Sequence, residues 1–395
     1  MKELKSPILV VGGGIGGLAV AFVLAGMGHQ VRVFEQAPNF EEVGAGVQLG
    51  PNGVRALDEI GLRAELERCA WTPAALMMRN GYSAIDDISL PLTDCFVERF
   101  GNPYLVVHRA DLLQLLLDAC AGSPLIELNT GAQVVAVGQR DDGVVLSFAD
   151  GTTAGGAALI GADGLRSVVR KKIVGDGDPP PPRLVVYRSV ISRDKIPDEL
   201  WSANVVMWSG TRADFVHYPL RRGELFNLVA TFEPDYDLDP TAIGGSREDL
   251  LKPYLDFSPG VKQLLELVDV SRRWMVTDRE PVERWSDGRI VLLGDSAHPM
   301  LQYMAQGACQ ALEDVVQLGR EVASSPADLE SAFSRYAKAR YLRTARVQAA
   351  ARYFVDVCQA GPVLSQVRKT YFDRAPVAQI YDDLAWLYAP GDERF

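Results

Sequence analysis

Residues 8–17 read Ile8-Leu9-Val10-Val11-Gly12-Gly13-Gly14-Ile15-Gly16-Gly17, and Val31-Arg32-Val33-Phe34-Glu35 follows one helix length later. An apolar strand, a glycine turn, a helix and a second strand make a βαβ opening. The turn has a physical logic: Gly12 permits the tight bend, Gly14 lets backbone approach a pyrophosphate, and Gly17 lets helix and strand pack closely. The helix start at Ile15 offers free N–H groups and partial positive charge to phosphate oxygens. Glu35 ends the second strand 18 residues beyond Gly17, where a carboxylate accepts hydrogen bonds from a ribose diol. This frame predicts an adenine dinucleotide, and by itself it does not separate NAD from FAD.

Lys2 and Lys5 precede an uncharged run from Ser6 to Gly28, which superficially looks like a signal peptide or a span. The glycines within it, and the strand that follows, argue against both. The 395 residues are 48% hydrophobic and 23% charged, which excludes disorder and a coiled coil and supports well-packed cores. A net charge of −11 opposes nucleic-acid binding and demands local cations wherever an anionic ligand binds. Five scattered cysteines without C-x-x-C fit a reducing cytoplasm, and four histidines leave little for a metal site. The chemistry is expected from an organic cofactor, with no metal.

Residues 111–120 look like a buried helix and 133–160 like short strands around Asp-Gly turns. Gly175–Pro182, with four consecutive prolines, is the clearest linker. Beyond it, 183–192, 203–208, 214–219 and 224–232 read as a mostly antiparallel sheet. A strand is expected from Arg289 to Gly294, and a helix near 307–322. After Ser325-Pro326-Ala327-Asp328 comes about 30 residues of helical pattern. Its Arg series over 335–352 reads as a solvated or subunit-facing side, which keeps a homodimer among the expected assemblies.

Three further segments bear on the cofactor. His108-Arg109-Ala110-Asp111-Leu112 sets a guanidinium just before a helix, suited to clamping phosphate. Gly161-Ala162-Asp163-Gly164-Leu165-Arg166-Ser167 and Gly294-Asp295-Ser296-Ala297-His298-Pro299 each place an Asp at the carboxyl end of a strand, where open α/β sheets bind ligands. Taken singly, Asp163 or Asp295 reads as a helix cap or turn residue. Together with the glycine motif, these segments resemble the single-component FAD-dependent aromatic hydroxylases of the para-hydroxybenzoate hydroxylase fold. The resemblance spans nearly the whole chain and is closest to the 3-hydroxybenzoate 6-hydroxylase and salicylate hydroxylase-like branch.

That resemblance implies an α/β fold: a discontinuous Rossmann-type FAD-binding domain (1–75, 103–178, 274–325), a mostly antiparallel substrate domain (76–102, 183–273) and a C-terminal helical region (326–395). It implies that Gly12, Gly14, Ile15 and Gly17 line the dinucleotide turn. Glu35 then holds the adenosine ribose, Arg109 the pyrophosphate, Asp295 the ribityl chain, and the backbone of Val134 the adenine. Gly44–Gln48 runs along the isoalloxazine with the Val47 backbone as its partner, and Asp163 bridges flavin and reduced-nicotinamide functions. The amides of Gly307 and Ala308 would stabilise negative charge on reduced flavin.

The implied reaction uses NADH or NADPH and O2 to hydroxylate an electron-rich monocyclic aromatic through a flavin C4a-hydroperoxide. Ring activation requires proton removal from a substrate hydroxyl. In Asp214-Phe215-Val216-His217-Tyr218 a period of two puts Asp214, Val216 and Tyr218 on one face, Phe215 and His217 on the other. The resemblance points to Tyr218 and Gln302 at the ring. A histidine that relatives use on this strand falls at Asp214 here, with His217 displaced, so both join the candidate catalytic set. Arg188 is a candidate for a substrate carboxylate, but reads more readily as a surface ion pair. The alternatives are a flavin reductase or dehydrogenase without oxygen insertion and a hydroxylase of a hydroxypyridine carboxylate. A plain NAD dehydrogenase leaves GADG and GDSAH unexplained.

Overall fold

The computed structural model describes residues 6–40, 44–235 and 243–391. Ile8–Val11 is buried along its whole length and lies parallel to Val31–Phe34 on one side and Ala158–Gly161 on the other. Such a strand is covered on both faces, which is why it is uniformly apolar instead of alternating. The sheet has six strands in the order Ser286–Asp287, Ile290–Leu292, Ala158–Gly161, Ile8–Val11, Val31–Phe34 and Ile126–Asn129. Only the Ser286–Asp287 edge runs antiparallel to its neighbour. Helices Ile15–Gly26, Arg109–Ala121 and Gly307–Ser324 pack together over this sheet, and a three-stranded meander spans Val134–Gly156.

A seven-stranded sheet forms the second layer: Trp274–Val276, Leu184–Ser192, Leu225–Phe232, Ala213–Leu220, Val205–Gly210, Ala75–Asn80 and Asp86–Pro91. It is antiparallel except where Val205–Gly210 meets Ala75–Asn80. Residues 75–91 are thereby united with the stretch after the proline linker, although 91 residues lie between Pro91 and Arg183. Trp274–Val276 joins this sheet too, so it extends slightly past the boundary expected at 273.

Helices Leu329–Cys358, Pro362–Arg374 and Val377–Tyr388 complete the chain. Asp328 caps the first, its carboxylate accepting from Ser331 N at 3.1 Å. The last two clasp the small segment of the seven-stranded sheet: Arg368 pairs with Asp87, and Tyr381 donates to the Pro91 carbonyl at 2.6 Å. The Arg series needs correction. Arg340 and Arg343 are buried, not solvated: Arg340 bridges Glu313 at 2.6 Å and Asp314 at 2.7 Å, while Arg343 binds Glu313 at 2.6 Å. Charge pattern on one helix does not reveal that the facing helix presents two consecutive acids. No helix among the described residues is long and apolar enough to cross a membrane.

Candidate active site

The glycine turn is shaped as its sequence demands. Gly12 has φ +103°, and a Cβ there would lie 2.2 Å from the Ala162 carbonyl oxygen. A Cβ on Gly14, by contrast, would meet nothing within 4 Å, so space lies open at the helix start. No side chain caps that helix and no acid occupies its first turn, which leaves its amides to an anion. Glu35 is held at the strand end by Gly13 N at 2.7 Å and Ala37 N at 2.9 Å. Ala132 N donates to the Glu35 carbonyl at 2.9 Å, which draws the approach to Val134 alongside.

Arg109 opens its helix and ties its amide to the Ala45 carbonyl at 2.8 Å. Asp295 is surrounded by protein, and burial pushes its carboxyl up while the charges of His298 and Arg109 pull it down. Its surface nevertheless stays open, so it lines a hollow and not a packed core. Asp295 Oδ1 lies 4.0 Å from where a Gly307 Cβ would be, at the uncapped start of helix Gly307–Ser324. Two uncapped helix starts, a fixed carboxylate, a guanidinium and an acid at the far end fit FAD. Strand Gly46–Leu49, with Val47 opposite Val107, pairs with the strand Leu105–His108 that leads into Arg109.

Asp163 is held by its own turn. Its oxygens accept from Ser167 Oγ at 2.5 Å and Val168 N at 2.8 Å. The carboxylate braces the start of the short helix Val168–Ile173, whose N-cap is Ser167, and so fixes the turn.

The substrate sheet turns one face toward the flavin cradle. Cross-strand register puts Arg188, Val229 and Val216 side by side, with Asn227 and Tyr218 next along on one side and Thr231 and Asp214 on the other. Half-buried Val229 and Met207 make an apolar floor. The Tyr218 ring lies against Gly46, where a Cβ would sit 2.5 Å from its hydroxyl oxygen. Gly46 N donates to Asn227 Oδ1 at 2.8 Å, which locks the strand Gly46–Leu49 to the sheet. Burial pushes the Tyr218 phenol well up, opposed by the Arg188 charge and by Gln48, so it keeps its proton. The Gln302 amide is pinned at both ends: its nitrogen donates to Thr231 Oγ1 at 2.7 Å and its oxygen accepts from Arg188 at 3.0 Å.

Tyr218, Gln302 and Asp214 therefore share this face, and His217 does not. The His217 ring is buried among Trp208, Phe215 and Phe226, with centroids 6.3, 6.0 and 5.1 Å away. Burial, with Arg79 adding, lowers its pKa to about 3, so it packs as a neutral aromatic and leaves the candidate catalytic set. Arg188 is also corrected. Read as a surface ion pair, it turns its guanidinium inward to Gln302 and stacks 5.6 Å from the Trp274 ring centroid. Sequence reasoning passed over Asn227, Thr231, Tyr303 and Gln359. Alternation along 225–232 would have found the first two, whereas Gln359 has no local signal.

Comparisons with known proteins bear on the fold and on the cofactor. The FAD binding domain family matches residues 5–350. The chain is 39% identical to a 3-hydroxybenzoate 6-hydroxylase of Polaromonas naphthalenivorans strain CJ2, over 97% of this chain and 95% of that one. It is 34% identical to a 3-amino-4-hydroxybenzoate 2-monooxygenase of Streptomyces platensis, over 96% and 95%. Among solved structures, HpxO of Klebsiella pneumoniae complexed with FAD and uric acid superposes with a TM-score of 0.85 at 25% identity, covering 98% of each chain.

Proposed function

The chain belongs to the FAD binding domain family and is a flavin-dependent aromatic-ring monooxygenase, and on that premise we propose that it hydroxylates a monocyclic hydroxybenzoate such as 3-hydroxybenzoate or salicylate. NADH or NADPH is the reductant and O2 the co-substrate. The observation that carries the substrate class is the inward row of Arg188, Gln302 and Tyr218 above an apolar floor. Bound FAD supplies the electron transfer from NAD(P)H and the activation of O2. The protein's own residues do the rest.

Arg188 offers a guanidinium to a ring carboxylate that the overall charge of −11 would otherwise repel. Gln302, with both amide ends held, orients the ring without needing to reorganise. Tyr218 keeps its O–H and would relay the substrate's hydroxyl proton. Val216, Val229 and Met207 exclude water from the ring's face. The amides at Gly307 and Ala308, at an uncapped helix start, would hydrogen-bond the negatively charged side of the bound cofactor. Glu35, Arg109, Val134 and Asp295 take the adenosine-to-ribityl length of the cofactor, as the cradle's layout supports. The cysteines among the described residues are all free, in keeping with a cytoplasmic enzyme.

The test is a panel of hydroxybenzoates, aminobenzoates and hydroxypyridine carboxylates, scored for stimulated NAD(P)H oxidation, oxygen uptake and product. A hydroxybenzoate converted stoichiometrically supports the reading. NAD(P)H oxidation that yields only hydrogen peroxide with every ring acid would overturn it in favour of a reductase.

A further inference from the structure

Asp214 shares the face of Tyr218, yet its carboxylate is engaged by protein. Oδ1 accepts from the Tyr303 hydroxyl at 2.6 Å and from Gln359 Nε2 at 2.9 Å, and Gln359 also donates to the Tyr303 oxygen at 2.9 Å. All three side chains are buried. They come from three parts of the fold: the substrate strand Ala213–Leu220, the loop after Gly294–Ser296, and the end of helix Leu329–Cys358. Such a buried, charge-assisted contact is short and directional.

Directly after Tyr303 the backbone does something costly. Met304 has φ +70° and Ala305 φ +54°, two consecutive residues with side chains in the left-handed region. Such geometry persists only where the surroundings over-determine it. The flanks are held: Gln302 by Thr231 and Arg188 upstream, Gln306 by Asn52 at 2.9 Å and Gln310 at 3.0 Å downstream. Ala305 N closes the turn on the Gln302 carbonyl at 3.1 Å. Tyr303 is the anchor between those flanks.

We propose that Asp214 and Gln359 are positioning residues that act through Tyr303, holding the strained Met304–Ala305 turn so that Gln302 meets the ring and the Gly307–Ala308 amides meet the flavin. The ring half of this statement rests on the function proposed above; the flavin half does not. Asp214 thus works at one remove from the substrate.

The holoenzyme variants Tyr303→Phe, Asp214→Ala, Asp214→Asn and the double variant Tyr303→Phe/Ala305→Gly are compared. The readouts are the flavin absorption spectrum, the FAD dissociation constant, the KM for the aromatic substrate, and the share of reducing equivalents lost as hydrogen peroxide. Tyr303→Phe and Asp214→Ala should shift the flavin bands and weaken FAD binding by about tenfold, while peroxide rises. Asp214→Asn keeps an acceptor for Tyr303 and should stay within about twofold of the parent. Ala305→Gly, which carries a left-handed backbone without strain, should restore the bands and coupling in the Tyr303→Phe background. Parental bands, FAD affinity and coupling in Tyr303→Phe would overturn the proposal, and this holds even if Asp214→Ala does not fold. So would an Asp214→Asn variant with raised KM and an unchanged flavin spectrum, which would make Asp214 a direct ring contact. If the substrate class is wrong, the parent yields no hydroxylated product from any hydroxybenzoate, and the flavin readouts still decide whether Asp214 and Gln359 act through Tyr303.

Discussion

His298 Nε2 lies 2.6 Å from Asp314 Oδ2, and that same carboxylate oxygen accepts from the Gly294 amide at 3.0 Å. One buried acid on helix Gly307–Ser324 therefore fixes both ends of the turn that carries Asp295. Arg340, bonded to Asp314 Oδ1 at 2.7 Å, extends this network to the C-terminal helices, and Arg343 continues it to the carbonyls of Trp386 and Leu387. Asp314→Ala leaves Arg340 without one partner and frees the turn. The expected loss is about 3–5 kcal/mol of stability, with weaker FAD retention although Asp314 does not itself reach the cofactor cradle. Thermal unfolding with and without added FAD measures both. A parental melting temperature would show that the network is dispensable.

Glu35→Ala and Arg109→Ala should weaken FAD binding without unfolding the chain. Each removes one charge-assisted contact, so each should weaken binding by roughly 1.5–3 kcal/mol, or about tenfold or more. Fluorescence titration of the apoprotein with FAD reports it directly. Unchanged affinity in both variants would remove this end of the cradle from the cofactor.

Tyr218→Phe keeps the ring against Gly46 and removes only the O–H. Flavin content and substrate-stimulated NAD(P)H oxidation should survive, while hydroxylation falls by about 10²–10⁴-fold and peroxide takes its place. Gly46→Ala attacks the same contact from the other side, because its Cβ would sit 2.5 Å from the Tyr218 oxygen. It should reproduce the uncoupling and add a loss of FAD, through displacement of the loop. Normal coupling in Tyr218→Phe ends the relay assignment.

His217 makes a pH prediction of definite sign. Burial, then Arg79, depresses its folded pKa from 6.5 to about 3, so the unfolded chain binds the proton more tightly. Stability linked to this residue is complete above about pH 6.5 and is lost as pH falls toward 3. His217→Leu removes that dependence. At pH 4.5 the variant should gain on the parent by an amount on the order of 2–3 kcal/mol relative to pH 7, with coupling unchanged. Urea unfolding at the two pH values tests it; a stability gap that does not move with pH refutes the neutral, buried assignment.

Much of this protein was legible in its sequence because the deciding signals are local. The strand Ile8–Val11, the Gly12 turn and the carboxylate of Glu35 lie within one βαβ unit, and each is demanded by backbone sterics or by phosphate and ribose chemistry. Alternation along 213–220 likewise separated Tyr218 from His217, since a period of two is a property of the strand alone. What the sequence could not decide were partnerships between distant elements. Whether Arg340 meets water or Glu313 depends on which helix packs opposite. That Asp163 braces the start of the helix Val168–Ile173 depends on the path of a five-residue turn. Whether Arg188 points outward or to Gln302, 114 residues on, depends on sheet register and on the loop laid across it. The cluster of Asp214, Tyr303 and Gln359 exists only once three segments converge, because the burial that gives its hydrogen bonds their strength is a property of the assembled fold.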